Sequence, residues 1–290
     1  MSDPTTTSTD LAAPVFEQHP ARGRFNAAFF RIMDGYIDHS LRRHKQRVFA
    51  DLPTEVVELG SGVGANLRHL RPGTTLVAIE PNRYMHARLR TAAARRRVHL
   101  QLRERMAEST GLPSASVDAV ISSLVLCTVG DPDAVLAEVR RILRPGGSFR
   151  FVEHVCAPSG TATRVAQRVF RRPWAWTFEG CSCERDLEGA VRRAGFARVE
   201  VEPYRLHTPF VPFNTQVAGV AWVRGSRCLH TVVHHTEREK GDPLDEKSRG
   251  SCSRLDSRTP RPVRSSLLGP ITATVKAIGR LEKLYVSEQR

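Results

Sequence analysis

No stretch of this 290-residue chain approaches the roughly 20 consecutive apolar residues that a membrane-crossing helix needs. The opening run Met1-Ser2-Asp3-Pro4-Thr5-Thr6-Thr7-Ser8-Thr9-Asp10 has neither the basic start nor the apolar middle of a secretory signal. Cysteine is sparse and scattered, at Cys127, Cys156, Cys181, Cys183, Cys228 and Cys252. The only close pair is Cys181-Ser182-Cys183, with no second pair or His cluster near it in sequence. That spacing predicts no zinc site and no disulfide framework. Reduced thiols in a cytoplasmic protein are the expectation.

Acidic residues are in short supply, 30 against 44 Lys and Arg, for a net charge of +14. Such an excess raises nucleic acid or an anionic membrane as partners. It is spread along the chain, however. Residues 225–290 hold 13 Lys/Arg and 8 Asp/Glu, a net of +5, which leaves +9 for residues 1–224. No basic-aromatic recognition module and no Asn/Asp-Pro-Pro-aromatic motif accompanies the charge. A nucleic-acid-directed enzyme therefore stays an alternative, and no nucleic-acid partner is expected.

What is present is an ordinary α/β domain with appendages. Residues 1–20, rich in Ser, Thr and Pro, read as disordered. Phe25, Phe29, Ile32, Met33, Tyr36, Ile37, Leu41, Val48 and Phe49 recur at three- and four-residue steps and predict a helix over 24–49. Strand candidates at 55–59, 75–80, 98–103, 117–123 and 148–155 alternate with helices at 64–70, 82–95 and 132–143. Asp131 and Pro132 sign one helix start, and Pro145-Gly146-Gly147 stops it. A helix near 184–194 and strands near 197–202 and 217–223 complete residues 21–224. The expected fold is a Rossmann-like, doubly wound sheet of about seven strands, mostly parallel with the last antiparallel, behind an N-terminal helical segment. No aromatic residue falls in 225–265, which reads as a linker. Ile271, Val275, Ile278, Leu281 and Leu284 give 271–285 one apolar helical face, fit to dock on the domain or on a membrane surface.

The strand Glu55-Val56-Val57-Glu58-Leu59 runs into Gly60-Ser61-Gly62-Val63-Gly64-Ala65-Asn66. Alternate glycines let the backbone turn sharply and press bare peptide groups against a ligand. Read alone, Gly60 to Ala65 satisfies the dinucleotide pattern, and Glu80 lies twenty residues on, where an acid takes ribose hydroxyls. Glu58 separates NAD from S-adenosylmethionine. A carboxylate two residues before the loop repels a pyrophosphate and suits a ligand carrying an ammonium and a sulfonium. The further glycine at 64 and the long helix ahead of the first strand point the same way.

These motifs, with Leu143-Arg144-Pro145-Gly146-Gly147 before the fifth strand, resemble the class I S-adenosylmethionine-dependent methyltransferases. The resemblance implies that Glu80, followed by Pro81, binds the cofactor ribose, and that Gly60, Ser61, Gly62 and Gly64 pass beneath ribose and methionine. Glu58 and Asn66 then serve the methionyl end, while Glu108 and Leu124 line the adenine and cofactor pocket. Leu124-Val125-Leu126-Cys127-Thr128-Val129, Phe151-Val152-Glu153-His154-Val155, Trp174 and Phe178-Glu179-Gly180-Cys181 are similar to the methyltransferase-like 7 group, the alkyl thiol S-methyltransferases. The animal members of that group carry an N-terminal membrane-associating helix, for which no apolar segment is found here. The acceptor implied is a small molecule with a thiol or a hydroxyl. His154 is the candidate base, and Trp174, Trp176 and Phe178 are candidates for a substrate wall. A non-catalytic cofactor-binding protein is a further alternative, against which the intact loop and Glu80 argue.

Overall fold

The computed structural model describes residues 19–225. The expected disorder of 1–20, the linker of 225–265 and the helix at 271–285 lie almost wholly outside the described residues, but Pro20, expected to be disordered, opens the first helix.

The first helix, α1 (Pro20–Val48), starts on a proline that fits a helix's first turn, with the His19 ring accepting from Arg22 N at 3.3 Å. There follow β1 (Glu55–Leu59), a 3-10 turn at Ala65–His69, β2 (Thr75–Ile79), α2 (Arg83–Arg96), β3 (His99–Arg103) and β4 (Val117–Ser123). Next come α3 (Pro132–Ile142), β5 (Leu143–His154), α4 (Ala162–Thr177), α5 (Leu187–Arg193), β6 (Arg198–Arg205) and β7 (Thr215–Trp222). The strands form one sheet in the order β3-β2-β1-β4-β5-β7-β6. The pairs among β1 to β5 are parallel, and β7 runs antiparallel to both β5 and β6. The expected seven-stranded sheet with an antiparallel last strand is what forms.

Alternation along the strands divides the core. Val57, Leu59, Val77, Ile79, Val120, Phe149 and Phe151 pack with Val135, Leu136 and Val139 of α3 and Leu187 and Val191 of α5. Val56, Leu76, Ala78, Ile121 and Val152 pack on the other side with Leu41 and Val48 of α1 and Leu89 and Ala93 of α2. The chain order reverses between β1 and β4, which opens a crevice beyond their carboxyl ends.

Local signals account for the boundaries read correctly. Asp131 accepts from Asp133 N at 2.9 Å and Ala134 N at 3.2 Å, with Pro132 opening α3. Three elements differ from expectation. The segment 64–70 is a short 3-10 turn rather than an α-helix. β5 begins at Leu143, and its pairing with β4 jumps from Val117–Leu143 to Ala119–Ser148, so Pro145-Gly146-Gly147 forms a bulge within the strand. A Cβ on Gly147 would sit 2.9 Å from Arg144 O and 3.0 Å from Asp118 O, which only glycine avoids. Finally, α4 was unforeseen. Thr161 caps it by accepting from Arg164 N at 3.2 Å, but Val165 and Val169 are exposed and Pro173 lies inside it. Val165, Ala166, Val169, Phe170 and Trp174 do recur at three- and four-residue steps, but the internal Pro173 reads as a helix breaker.

Candidate active site

One cavity of about 490 Å³ opens at the crevice. Its lining joins the glycine loop, the end of β2, the turn after β4, the end of β5, the end of α4 and one side of α1.

The glycine loop and β2 form one end. Gly60 and Gly62 hold φ of 56° and 54°, in the left-handed region that favours glycine. A Cβ on Gly60 would come within 2.4 Å of Val125 Cγ2, whereas one on Gly62 would meet nothing nearer than 3.6 Å. Glu80 fixes the loop. Its Oε2 accepts from Gly62 N at 2.7 Å and its Oε1 from Asn82 N at 2.8 Å. Each oxygen keeps a further lone pair for a ligand. Burial pushes the Glu80 carboxyl up to about 7, against the pull of those two N–H donors. Pro81 also lines the cavity.

Glu58 points to the α1 side of the sheet and is fully buried. It accepts from Asn66 Nδ2 at 2.7 Å, and burial raises its pKa against that bond. Lys45 of α1 is buried nearby and lines the cavity. Burial lowers its pKa to about 8, while the Asp38 and Glu58 carboxylates oppose the drop. Asp38 is itself held by Arg68 at 3.0 Å and His69 at 3.2 Å. Glu108 reaches across to α3, accepting from Gly130 N at 3.0 Å and Asp131 N at 3.4 Å. Leu124 holds a φ of 62°, a strained value for a residue with a branched side chain, and lines the cavity beside Val125.

The other end is apolar and aromatic. Trp174 and Phe178 have ring centroids 4.7 Å apart, and Phe178 meets Phe29 of α1 at 5.1 Å. Asn26 ties the two helices by donating to Thr177 O at 2.9 Å. Trp176, expected in the same wall, is a correction. It stands 63% exposed and lines no part of the cavity, because it lies two residues, about 200° of helix turn, from Trp174.

Where this wall meets the sheet lie Cys127, His154 and Cys181, all buried and all lining the cavity. Cys181 Sγ is 3.6 Å from Cys127 Sγ and 3.3 Å from His154 Nε2, and it accepts from Trp174 Nε1 at 3.3 Å. Burial lowers the His154 pKa, against the pull of the Cys181 sulfur. Its Nδ1 is buried with no partner, and its Nε2 faces Cys181 rather than open space. Burial opposes ionisation of Cys181, but hydrogen bonds with the Cys127 and Cys183 thiols, the charge of His154 and the Trp174 N–H outweigh it and hold this thiol low. Cys127 is pushed up by burial and by its contact with Cys181.

Sequence reading thus located Gly60, Ser61, Gly62, Glu80, Glu108, Leu124, His154, Trp174 and Phe178, all of which line this cavity; Gly64 is a correction, since it packs against Leu67 and Leu89 rather than the cavity, and Glu58 lies behind the loop, bonded to the lining residue Asn66. It missed Lys45, Asn82 and Glu179. Asn82 Nδ2 donates to Glu179 at 3.1 Å and thereby joins α2 to the end of α4. The recurrence of Asp38, Leu41, Lys45 and Val48 at three- and four-residue steps was the available signal for Lys45.

The residues fit S-adenosylmethionine. Asn66 Oδ1, Ser123 Oγ and Glu108 Oε2 are buried without partners on residues that line the cavity, and Gly62 leaves room at the loop. A family model described as a methyltransferase domain matches residues 57–151. A SAM-dependent methyltransferase from Thermotoga maritima shares the fold, with a TM-score of 0.51 at 19% identity over 70% of this chain and 97% of its own. The chain is a class I S-adenosylmethionine-dependent methyltransferase. Two human proteins narrow the family. Thiol S-methyltransferase TMT1B is 35% identical over 171 residues, covering 57% of this chain and 69% of the human protein. Thiol S-methyltransferase TMT1A is 37% identical over 152 residues, covering 51% and 62%. The chain belongs to this thiol S-methyltransferase family.

Proposed function

We propose that this enzyme moves the methyl group of S-adenosylmethionine to the thiol of a small, largely apolar molecule. One observation carries the reading: an aromatic chamber and a buried sulfur–imidazole cluster share a single cavity with the glycine loop. The donor supplies a methyl group already activated on a sulfonium, so the protein has mainly to position the acceptor.

In this reading Glu80, beside Pro81, accepts from the ribose hydroxyls. Gly60, Ser61 and Gly62 let the donor lie close to the backbone, and Gly64 lets the loop pack on Leu67 and Leu89. Glu58, through Asn66, sets the field at the methionyl ammonium. Glu108 and Leu124 border the adenine. Trp174 and Phe178 wall the acceptor chamber. A thiol is a few per cent ionised at neutral pH and needs little base help. A hydroxyl acceptor would need a general base, and His154 Nε2 is already engaged with Cys181. That engagement favours the thiol and makes His154 a positioning residue.

Residues 21–224 form the catalytic domain, a reading supported by the unbroken α/β order from Pro20 to Trp222. The buried free thiols of Cys127, Cys181 and Cys183 support a reducing, cytoplasmic setting. Among the described residues no helix is long and apolar enough to cross a membrane. Peripheral contact through 271–285 remains part of the proposal.

The test is a panel of thiols, phenols and carboxylates with labelled donor. Labelled thioether is the expected product. Methylation of phenols alone would overturn the acceptor assignment.

A further inference from the structure

The cluster of Cys127, His154 and Cys181 has a geometry that packing alone does not require. A tetrahedral zinc ion with Zn–S near 2.3 Å and Zn–N near 2.0–2.1 Å sets sulfurs about 3.7 Å apart and sulfur and nitrogen about 3.6 Å apart. Here the sulfurs are 3.6 Å apart and Cys181 Sγ lies 3.3 Å from His154 Nε2. All three donor atoms lie within 4.8 Å of one another. They come from the turn after β4, the end of β5 and the turn after α4, so the sheet holds two of them and α4 delivers the third. Trp174 Nε1–H donates to Cys181 Sγ at 3.3 Å, an outer hydrogen bond of the kind that steadies a metal-bound thiolate.

We propose that Cys127, Cys181 and His154 form a Cys2His site for a thiophilic divalent cation, zinc, with its fourth position open to the cavity for the sulfur of the acceptor. The inference rests on the thiol reading above. Two thiolates and a neutral imidazole balance a divalent charge, which removes the cost of burying an unpaired thiolate. Soft sulfur and imidazole donors select zinc over magnesium or calcium.

The step balances without an oxidant. The acceptor gives its S–H proton to solvent and binds as thiolate. A lone pair on its sulfur forms the new S–CH3 bond as the donor's CH3–S⁺ bond breaks. The electrons of that bond stay on the donor sulfur, which leaves as a neutral thioether.

The full chain, stripped with a chelator and loaded with cobalt(II), should show sulfur-to-cobalt charge-transfer absorption and tetrahedral ligand-field bands. Cys181→Ser and Cys127→Ser should lose those bands. S-adenosylhomocysteine binding by calorimetry reports whether each variant is folded. Absence of the bands in the wild type, equal bands in a folded variant, or a Cys127–Cys181 disulfide in freshly purified protein would each overturn the site.

Added thiol should shift the cobalt bands. Zinc should raise thiol turnover at pH 7 about tenfold, because a free thiol is only a few per cent ionised there. It should also flatten the pH–rate profile, which in stripped enzyme climbs toward the acceptor's own pKa. Bands that ignore thiol, or a profile unchanged by zinc, would overturn the activating role. If cobalt bands form but no thiol is methylated, the acceptor assignment falls and the metal site stands. If thiols are methylated equally well after stripping and no bands form, the metal site falls and the acceptor stands.

Discussion

The two ends of the cavity are built in opposite ways. The donor end, apart from Glu108 and Leu124 at the adenine, is local. Gly60, Ser61, Gly62, Gly64, Glu58 and Asn66 lie within nine residues, and Glu80 reaches back only eighteen residues to Gly62. The acceptor end is assembled from distance. Cys127 and Cys181 are 54 residues apart, and Asn26 meets Thr177 across 151. The first kind of site is carried by backbone conformation at positive-φ glycines, which a side chain strains. The second depends on side chains meeting across independent elements, so it can vary while donor binding persists.

That contrast can be broken experimentally. The largest effect belongs to Glu80→Ala. Two hydrogen bonds to a charged group, each worth about 1.5–3 kcal/mol, are lost, and the loop loses its anchor at Gly62. S-adenosylhomocysteine affinity should fall about a hundredfold or more by calorimetry, and unchanged affinity would mean Glu80 does not serve the donor. Gly60→Ala comes next, because its Cβ would strike Val125 Cγ2 at a positive φ. Melting temperature and donor affinity should both drop.

Phe178→Ala should act on the acceptor alone. It removes the ring joining Trp174 to Phe29, so the acceptor KM should rise roughly fivefold to tenfold while the homocysteine-product Kd holds. A matching change in that Kd would show that the two ends are not separable.

A pH effect is smaller but signed. Burial raises the Glu153 carboxyl to about 7 from an ordinary value of 4.5, against bonds from Ser122 Oγ and Val125 N. The folded state thus keeps a proton that the unfolded chain has released. Stability should fall as pH rises from about 4.5 to about 7, and Glu153→Gln should flatten that slope in melting curves. Glu80 titrates in the same range, so donor affinity should weaken as pH drops below about 7. Trp176→Ala should change neither end, and a kinetic effect there would revive its place in the wall.

Legibility followed the same division. β1, β4 and the start of α3 were readable because apolar runs and the Asp131-Pro132 cap act through neighbours in sequence. α4 was not, because its internal Pro173 reads as a helix stop, although Val165, Ala166, Val169, Phe170 and Trp174 keep the helical period. The Pro145-Gly146-Gly147 bulge was read as a stop, since the pairing that absorbs it is with β4.

By itself the sequence determined the methyl-donor end, since left-handed glycines and a spaced acid act over short stretches of backbone. It also determined the alternation of strands and the mostly parallel sheet of seven, though not α4. Only the tertiary structure decided that Lys45 is buried behind the loop, that Trp176 faces away, and that Cys127, His154 and Cys181 converge. Those outcomes depend on how α1 and α4 pack against the sheet; the helical spacing of Lys45 with Leu41 and Val48 marks its face, but only the packing puts that face behind the loop.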